Sequence, residues 1–283
     1  MADPTPILRP PPQLLGIVNV TRDSFSDGGK YLDHDAALAH ARKLRADGAA
    51  IIDLGAQSTH PDSARVSPDE QIERLTPLIA ALRREGIPVS ADADDPRVIA
   101  ACAANGVDFI NDVSGMRNAE SIAAVAGSAC KLIVMHAVGD GPQAARIDVP
   151  PNQILDRISA FFEDRLNALR HAGIARERLI LDPGLGFFVG TNPLTSCRVL
   201  AALPILRNRF DLPLLISASR KSFLAALTTV PGQPPPAPAD RGPATLAAEL
   251  FAADRGVEYI RTHEVRPLHD ALRVWRAIHE ASS

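Results

Sequence analysis

QILDRISAFFEDRLNALRHAGIARERLILDPG, residues 153–184, holds one complete structural unit. Its first two thirds repeat apolar residues at helical spacing and stop at Gly173, where glycine readily takes the left-handed conformation that ends a helix. The short apolar run LILDPG (179–184) then reads as a strand that closes on an acid, Asp182. The same pattern recurs along the chain. Candidate strands are LLGIVNV (14–20), AIIDLG (50–55), PVSAD (88–92), DFINDV (108–113), KLIVMH (131–136), LILDPG, PLLISAS (213–219) and YIRTH (259–263). Helical stretches such as DHDAALAHARKLRADG and SPDEQIERLTPLIAALRREG lie between them and end at Gly48 and Gly86. Helical crossovers make successive strands parallel, and eight such units in a chain of 283 residues predict an α/β fold of the single (β/α)8 TIM barrel type. An open doubly wound sheet stays as the alternative, because periodicity does not show closure. The expected organisation is a flexible Pro-rich tail over 1–13 and one barrel domain over 14–283. PGQPPPAPAD (231–240) reads as an extended or mobile linker.

Composition narrows the function classes. A net charge of −3 offers no large basic field for nucleic acid, and 4% aromatics offers few stacking platforms. No apolar run approaches the ~18 residues of a membrane span, and the start lacks the apolar centre of a signal peptide, so a cytoplasmic protein is expected. Cys102, Cys130 and Cys197 are too scattered for a disulfide framework or a Cys-based zinc site. A small-molecule site is the expectation.

The two ends of the repeat differ. Strands begin plainly but end on Asn19, Asp53, Asp92, Asn111 and Asp112, Met135 and His136, Asp182, Ser219 to Lys221, and Arg261 to His263. In a barrel those ends surround one mouth, where sites of this fold lie. Asp92, Asn111 and Asp182 suit a flat heterocycle, since a carboxylate accepts two parallel N–H bonds. Lys221, Arg261 and His263 suit an anion, and residues 261 and 263 share a strand face. Each has a plainer reading: LDPG as a turn, Asn111 or Asp112 as a helix cap, SASRKSFL as a helix start, and His136 as the holder of a backbone partner. Asn19 is expected at the buried end of its strand.

The motifs GIVNVTRDSFSDGG (16–29), INDVSG (110–115), ILDPGLGF (180–187), SRKSF (219–223) and RTHEV (261–265), in this order, resemble those of the dihydropteroate synthases, over about Leu14 to Ile278. The resemblance implies a homodimeric barrel that joins 6-hydroxymethyl-7,8-dihydropterin pyrophosphate to p-aminobenzoate, forming 7,8-dihydropteroate and releasing pyrophosphate. By matching position, Asp92, Asn111, Asp182 and Lys221 would hold the pterin, with Met135 lining its pocket. Arg261 and His263 would hold pyrophosphate, and Asn19 would help to position Mg2+. Pro61, Phe187 and Ser222 match positions around p-aminobenzoate, joined by Thr59.

The chain departs from the family pattern in four places. His60 stands where an Arg follows the Thr, and Arg22 replaces a Pro. Ala93 replaces a Thr, and Phe188 with Val189 replace Gly-Lys. The GFF segment resembles the sulfonamide-insensitive branch, in which a bulky Phe188 would obstruct a tetrahedral sulfonyl group. Two rival functions share parts of the pattern: a pterin-binding methyltransferase acting with a corrinoid protein, and a pterin-binding paralogue without catalysis.

Overall fold

The computed structural model describes residues 10–20, 30–58, 63–139, 141 and 143–281. The strands are β1 (Gln13–Asn19), β2 (Ile51–Gly55), β3 (Val89–Asp92), β4 (Phe109–Asp112), β5 (Lys131–Met135), β6 (Leu179–Asp182), β7 (Leu215–Ile216) and β8 (Tyr259–Thr262). The helices are α1 (Lys30–Ala46), α2 (Pro68–Arg84), α3 (Pro96–Ala104), α4 (Ala119–Ala126), α5 (Ile154–His171), α6 (Pro193–Ala201), α7 (Leu203–Phe210), α8 (Ser222–Thr228), α9 (Gly242–Asp254) and α10 (Val265–Ala281). All strand pairs are parallel, in the order β6-β5-β4-β3-β2-β1-β8-β7. A bridge between Leu181 and Leu214 joins the two ends of that series. The sheet therefore curls back on itself, and the open-sheet alternative is set aside.

Local chemistry explains the elements. In α2, Ser67 caps the first turn by accepting a hydrogen bond from the Glu70 amide at 3.3 Å, worth about 1 kcal/mol for such caps. Leu75, Leu78, Ile79 and Leu82 then face inward at helical spacing. The chain leaves the helix through Gly86 at φ 70°, a conformation that a side chain would strain. Strand β7 is much shorter than the 213–219 run that the sequence suggested. Pro213 has no amide hydrogen to donate, and the Lys221 amide already turns back to the Ala218 carbonyl at 3.2 Å. The 231–240 segment is largely exposed but ends in a 3-10 turn, Pro238–Arg241, and Arg241 Nη1 donates to the Arg220 carbonyl at 2.7 Å. Its C-terminal end is thus tied to the barrel.

Alternation with period two separates two apolar regions. Outward residues such as Leu14, Ile52, Ile110, Leu132, Leu181 and Ile260 pack with the helices. Inward, Leu15, Ile51, Phe109, Ile133, Ile180, Leu215 and Tyr259 form a plug contributed by seven strands. One step nearer the strand C-termini, most inward positions turn polar, as at Asp53, Asn111, Asp182 and Arg261, while β5 keeps Met135. That change creates the floor of a site.

Candidate active site

The cavity at the strand C-termini has a volume of about 330 Å³, counted to its open mouth, and its lining includes Asp92, Asn111, Met135, Asp182, Phe188, Lys221 and Arg261. Strand register builds it. Asn19 pairs laterally with Gly55, Gly55 with Asp92, and Asp92 with Asn111, so four neighbouring strands place these residues in one row. A Cβ at Gly55 would stand 3.6 Å from both Asn19 Oδ1 and Asp92 Cβ, so the glycine leaves room between them. Asp182 lies opposite Met135 across the β5–β6 ladder.

Arg261 is the electrostatic centre. Its Nε donates to Asp53 Oδ2 at 2.6 Å and its Nη2 to Asp92 Oδ2 at 2.7 Å. The planar guanidinium thus spans two carboxylates, a geometry that lysine cannot copy. Asp53, fully buried, is the residue that the site assignment from sequence passed over. An acid in the middle of AIIDLG reads as a strand-end polar group, and only the facing Arg261, 208 residues away, reveals its partner.

Two buried oxygens, Asp53 Oδ1 and Asn111 Oδ1, have no hydrogen-bond partner among the described residues. A buried acceptor left unpaired costs about 1–3 kcal/mol, so the Asn111 amide oxygen is a ready receptor for a ligand N–H. Burial pushes Asp92 up to about 7, opposed by Arg261 and reinforced by Asp53. It likewise pushes Asp182 up to about 6, opposed by its bond from the Gly184 amide. Burial and then Arg261 push Lys221 down to about 8. These groups change charge near neutrality, as ligand-binding groups in clefts do.

The plainer readings hold for part of the set. Asp112 holds a turn rather than the helix cap expected of it, accepting from the Ser114 amide at 2.7 Å and the Met116 amide at 2.9 Å, while Asn118 caps α4. His136 Nδ1 lies 3.1 Å from the Pro183 carbonyl. LDPG is indeed a turn, with Asp182 Oδ1 accepting from the Gly184 amide at 2.8 Å, yet the Asp182 side chain also lines the cavity. A Cβ at Gly184 would lie 2.5 Å from the His136 carbonyl oxygen, so this turn requires glycine.

Other assignments shift. Asn19 is exposed, not buried, because the strand end stands at the open mouth. His263 is half-buried and hydrogen-bonds Ser219 Oγ through Nδ1 at 3.0 Å. Burial, then Arg220 and Arg261, push it down to about 3, so it is a neutral imidazole. Phe188 enters the cavity, with the Lys221 ammonium 4.6 Å from its ring centroid. Phe187 packs beside it, and its ring carries the Arg146 guanidinium at 5.6 Å. Ser222 opens α8 beside Gly186. Ala93 is buried and donates its amide to the Asn111 carbonyl at 3.1 Å, and Val189 is also buried. Thr59 and Pro61, with His60 and Arg22, lie outside the described residues.

Barrel, acid-lined cavity and basic strand ends together describe a (β/α)8 protein with a site suited to a flat polar ring beside an anion. A profile of the family described as "Pterin binding enzyme" matches residues 15–263, and the chain belongs to that family. It is 53% identical over 269 residues to the dihydropteroate synthase type-2 of Escherichia coli, covering 95% of this chain and 97% of that one. The dihydropteroate synthase of Xanthomonas albilineans, solved with 4-aminobenzoic acid, superposes with a TM-score of 0.84 at 36% identity, covering 95% of this chain and 93% of that one. The same enzyme in complex with 7,8-dihydropteroate gives 0.80 at 35% identity, with 95% and 94% covered.

Proposed function

We infer that this chain is a dihydropteroate synthase, a transferase that condenses 6-hydroxymethyl-7,8-dihydropterin pyrophosphate with p-aminobenzoate. The observation that carries this reading is one cavity in which the unpaired Asn111 oxygen and two acids face Lys221 and Arg261. Asp92, Asn111 and Asp182 accept the N–H groups of the pterin edge. Lys221 donates to the ring, and Met135 and Phe188 cover its faces. As the bond from the exocyclic carbon to pyrophosphate lengthens, negative charge grows on the departing oxygens, and preorganised cations stabilise it. Arg261 supplies that charge, and the neutral His263 adds a ring N–H donor.

Mg2+ belongs to this reading as a pyrophosphate partner: Asn19, exposed at its strand end, would offer it an amide oxygen, and water and phosphate oxygens would complete its shell. When bound, the ion would supply charge neutralisation to the leaving group. The p-aminobenzoate amine is neutral at pH 7 and attacks without a strong general base. A cytoplasmic homodimer belongs to the same reading, with exposed Leu194, Ile205, Val274, Trp275 and Ile278 as available apolar surface.

The decisive assay supplies Mg2+, the pterin pyrophosphate and p-aminobenzoate, and measures pyrophosphate and dihydropteroate. Pterin binding without product would favour the non-catalytic paralogue. Product with no corrinoid protein present excludes the methyltransferase.

The cavity charges set a pH dependence. A ligand N–H binds the ionised acid, so kcat/KM for the pterin pyrophosphate is expected to fall as pH drops below about 7, where Asp92 and then Asp182 take up protons. It falls again above about 8, where Lys221 loses its charge. kcat/KM reports the free enzyme's groups. A flat profile between pH 5 and 9 would rule out the roles given to all three.

The Phe188 ring lines the cavity and Phe187 packs beside it. They leave room for a planar carboxylate and oppose a tetrahedral sulfonyl group with its substituent. Sulfamethoxazole is therefore expected to inhibit at least about tenfold more weakly than it inhibits a sensitive synthase assayed alongside, a difference of ~1.4 kcal/mol. Equal inhibition constants would remove this part of the reading.

A further inference from the structure

The segment that carries Lys221 into the cavity bends sharply. Arg220, just before it, takes φ 59°, in the left-handed region that residues with a Cβ rarely occupy. Strained positions of this kind persist where the surroundings over-determine them. Two residues of one neighbouring stretch supply the constraint. Thr245, fully buried on α9, accepts the Arg220 amide hydrogen through Oγ1 at 3.1 Å. Arg241, at the end of the Pro-rich segment, donates through Nη1 to the Arg220 carbonyl at 2.7 Å and through Nε to the Pro236 carbonyl at 3.0 Å.

Each contact fixes one plane. A peptide unit is rigid, so a hydrogen bond to one of its polar atoms orients the whole unit. The unit joining Ser219 to Arg220 carries the amide held by Thr245. The unit joining Arg220 to Lys221 is gripped at its carbonyl by Arg241, and its N–H donates to the Ala218 carbonyl at 3.2 Å. Both soft dihedrals of Arg220 are thereby set, and with them the direction in which Lys221 leaves the backbone. The Arg220 side chain adds an anchor, donating to Glu264 Oε1 through Nε at 3.1 Å and through Nη2 at 2.6 Å. Aim matters here, because Lys221 lines the cavity beside the Phe188 ring, and a misplacement of about 1 Å can cost about a hundredfold in rate.

We propose that Arg241 and Thr245 are positioning residues that aim Lys221 into the cavity by clamping the peptide units on either side of Arg220. The role deepens the synthase reading and rests on it for the identity of the ligand. Positioning itself can be read without any ligand, from the chemistry of the Lys221 amine.

The experiment uses the full chain and two readouts: Kd for 6-hydroxymethyl-7,8-dihydropterin by calorimetry, and the pH midpoint of Lys221 acetylation by acetic anhydride, followed by mass spectrometry. Thr245→Val keeps the shape but not the acceptor, and Arg241→Ala removes the donor. Each is expected to weaken the pterin about fivefold, the effect of one lost hydrogen bond. Thr245→Ser keeps the hydroxyl and should stay within about twofold of the parent. In a Lys221→Met background neither change should cost more than about twofold further, because both act through Lys221. In the parent, burial and then Arg261 hold the Lys221 amine down to about 8, against Asp182 and Asp92. A loosened Lys221 escapes that burial, so its acetylation midpoint should rise in Thr245→Val and Arg241→Ala but not in Thr245→Ser. If Thr245→Val fails to fold, Arg241→Ala, at a half-buried residue, carries the comparison alone. An unmoved midpoint, unchanged pterin binding in variants of a parent that binds it, losses that persist in full without Lys221, or a Ser variant as weak as the Val variant would each overturn the proposal. A parent that binds no pterin, with midpoints that still rise in the variants, would count against the synthase reading and leave the positioning role standing.

Discussion

Arg261→Ala is expected to lower kcat/KM by at least about a hundredfold, the size of effect seen when one group that stabilises developing negative charge is removed. The substitution does more than delete a ligand contact. Arg261 joins Asp53 and Asp92, whose side chains are 0% and 11% exposed, and removing it leaves both acids without their cation. Breaking a buried ion pair from one side typically costs about 3–5 kcal/mol.

The sign of the pH effect follows from the acids left behind. Without the guanidinium, Asp92, which burial already raises and Arg261 opposes, is driven further toward the protonated form in the folded state, so its folded pKa stands further above the unfolded one. The folded chain then holds protons that the unfolded chain has released, and this advantage shrinks as pH rises. The stability lost on substitution is therefore expected to be greater at pH 8 than at pH 6, as urea unfolding at the two values will measure. Arg261→Lys separates the two roles. A single ammonium restores charge but not the fork across two carboxylates, so it should recover part of the stability and little of the turnover. Wild-type turnover in either variant would remove Arg261 from the anion site.

Asp182→Asn is the second large effect. The amide oxygen can still accept the Gly184 amide hydrogen, so the turn and the fold should survive. On the cavity side, however, an N–H2 donor replaces a carboxylate acceptor and meets the N–H donors of the pterin edge. Such donor–donor opposition in a buried site is expected to reduce kcat/KM by about 10³ or more, comparable to the discrimination of sites built to hydrogen-bond their substrate. The loss should fall mainly on the pterin substrate. A variant with unchanged kcat/KM and an unchanged acid limb in its pH profile would show that Asp182 serves only the turn.

Much of this was legible in the chain. Eight apolar runs ending in polar residues gave the barrel, and the ordered motifs gave the family and its expected ligands. Asp92 and Asp182 recur at one end of a repeating unit, and the structure brings both to the same cavity. The limits fell on orientation and partnership. Asn111 and Asp112 are neighbours of similar chemistry, yet the first faces the cavity and the second holds a turn, because successive strand residues point to opposite faces. Phe187 and Phe188 also divide, here within a 3-10 turn rather than a strand, with Phe188 in the cavity and Phe187 against Arg146.

The sequence by itself determined the alternation of strands and helices, the gathering of hydrophilic tips at one end, and the kinds of atom offered to a ligand. These are local properties, set by side-chain periodicity and composition. Only the tertiary structure decided that the sheet closes and that Arg261 is shared between Asp53 and Asp92. Closure and charge pairing depend on distances between residues far apart in the chain, and no local pattern encodes which distant charge will complete a buried site.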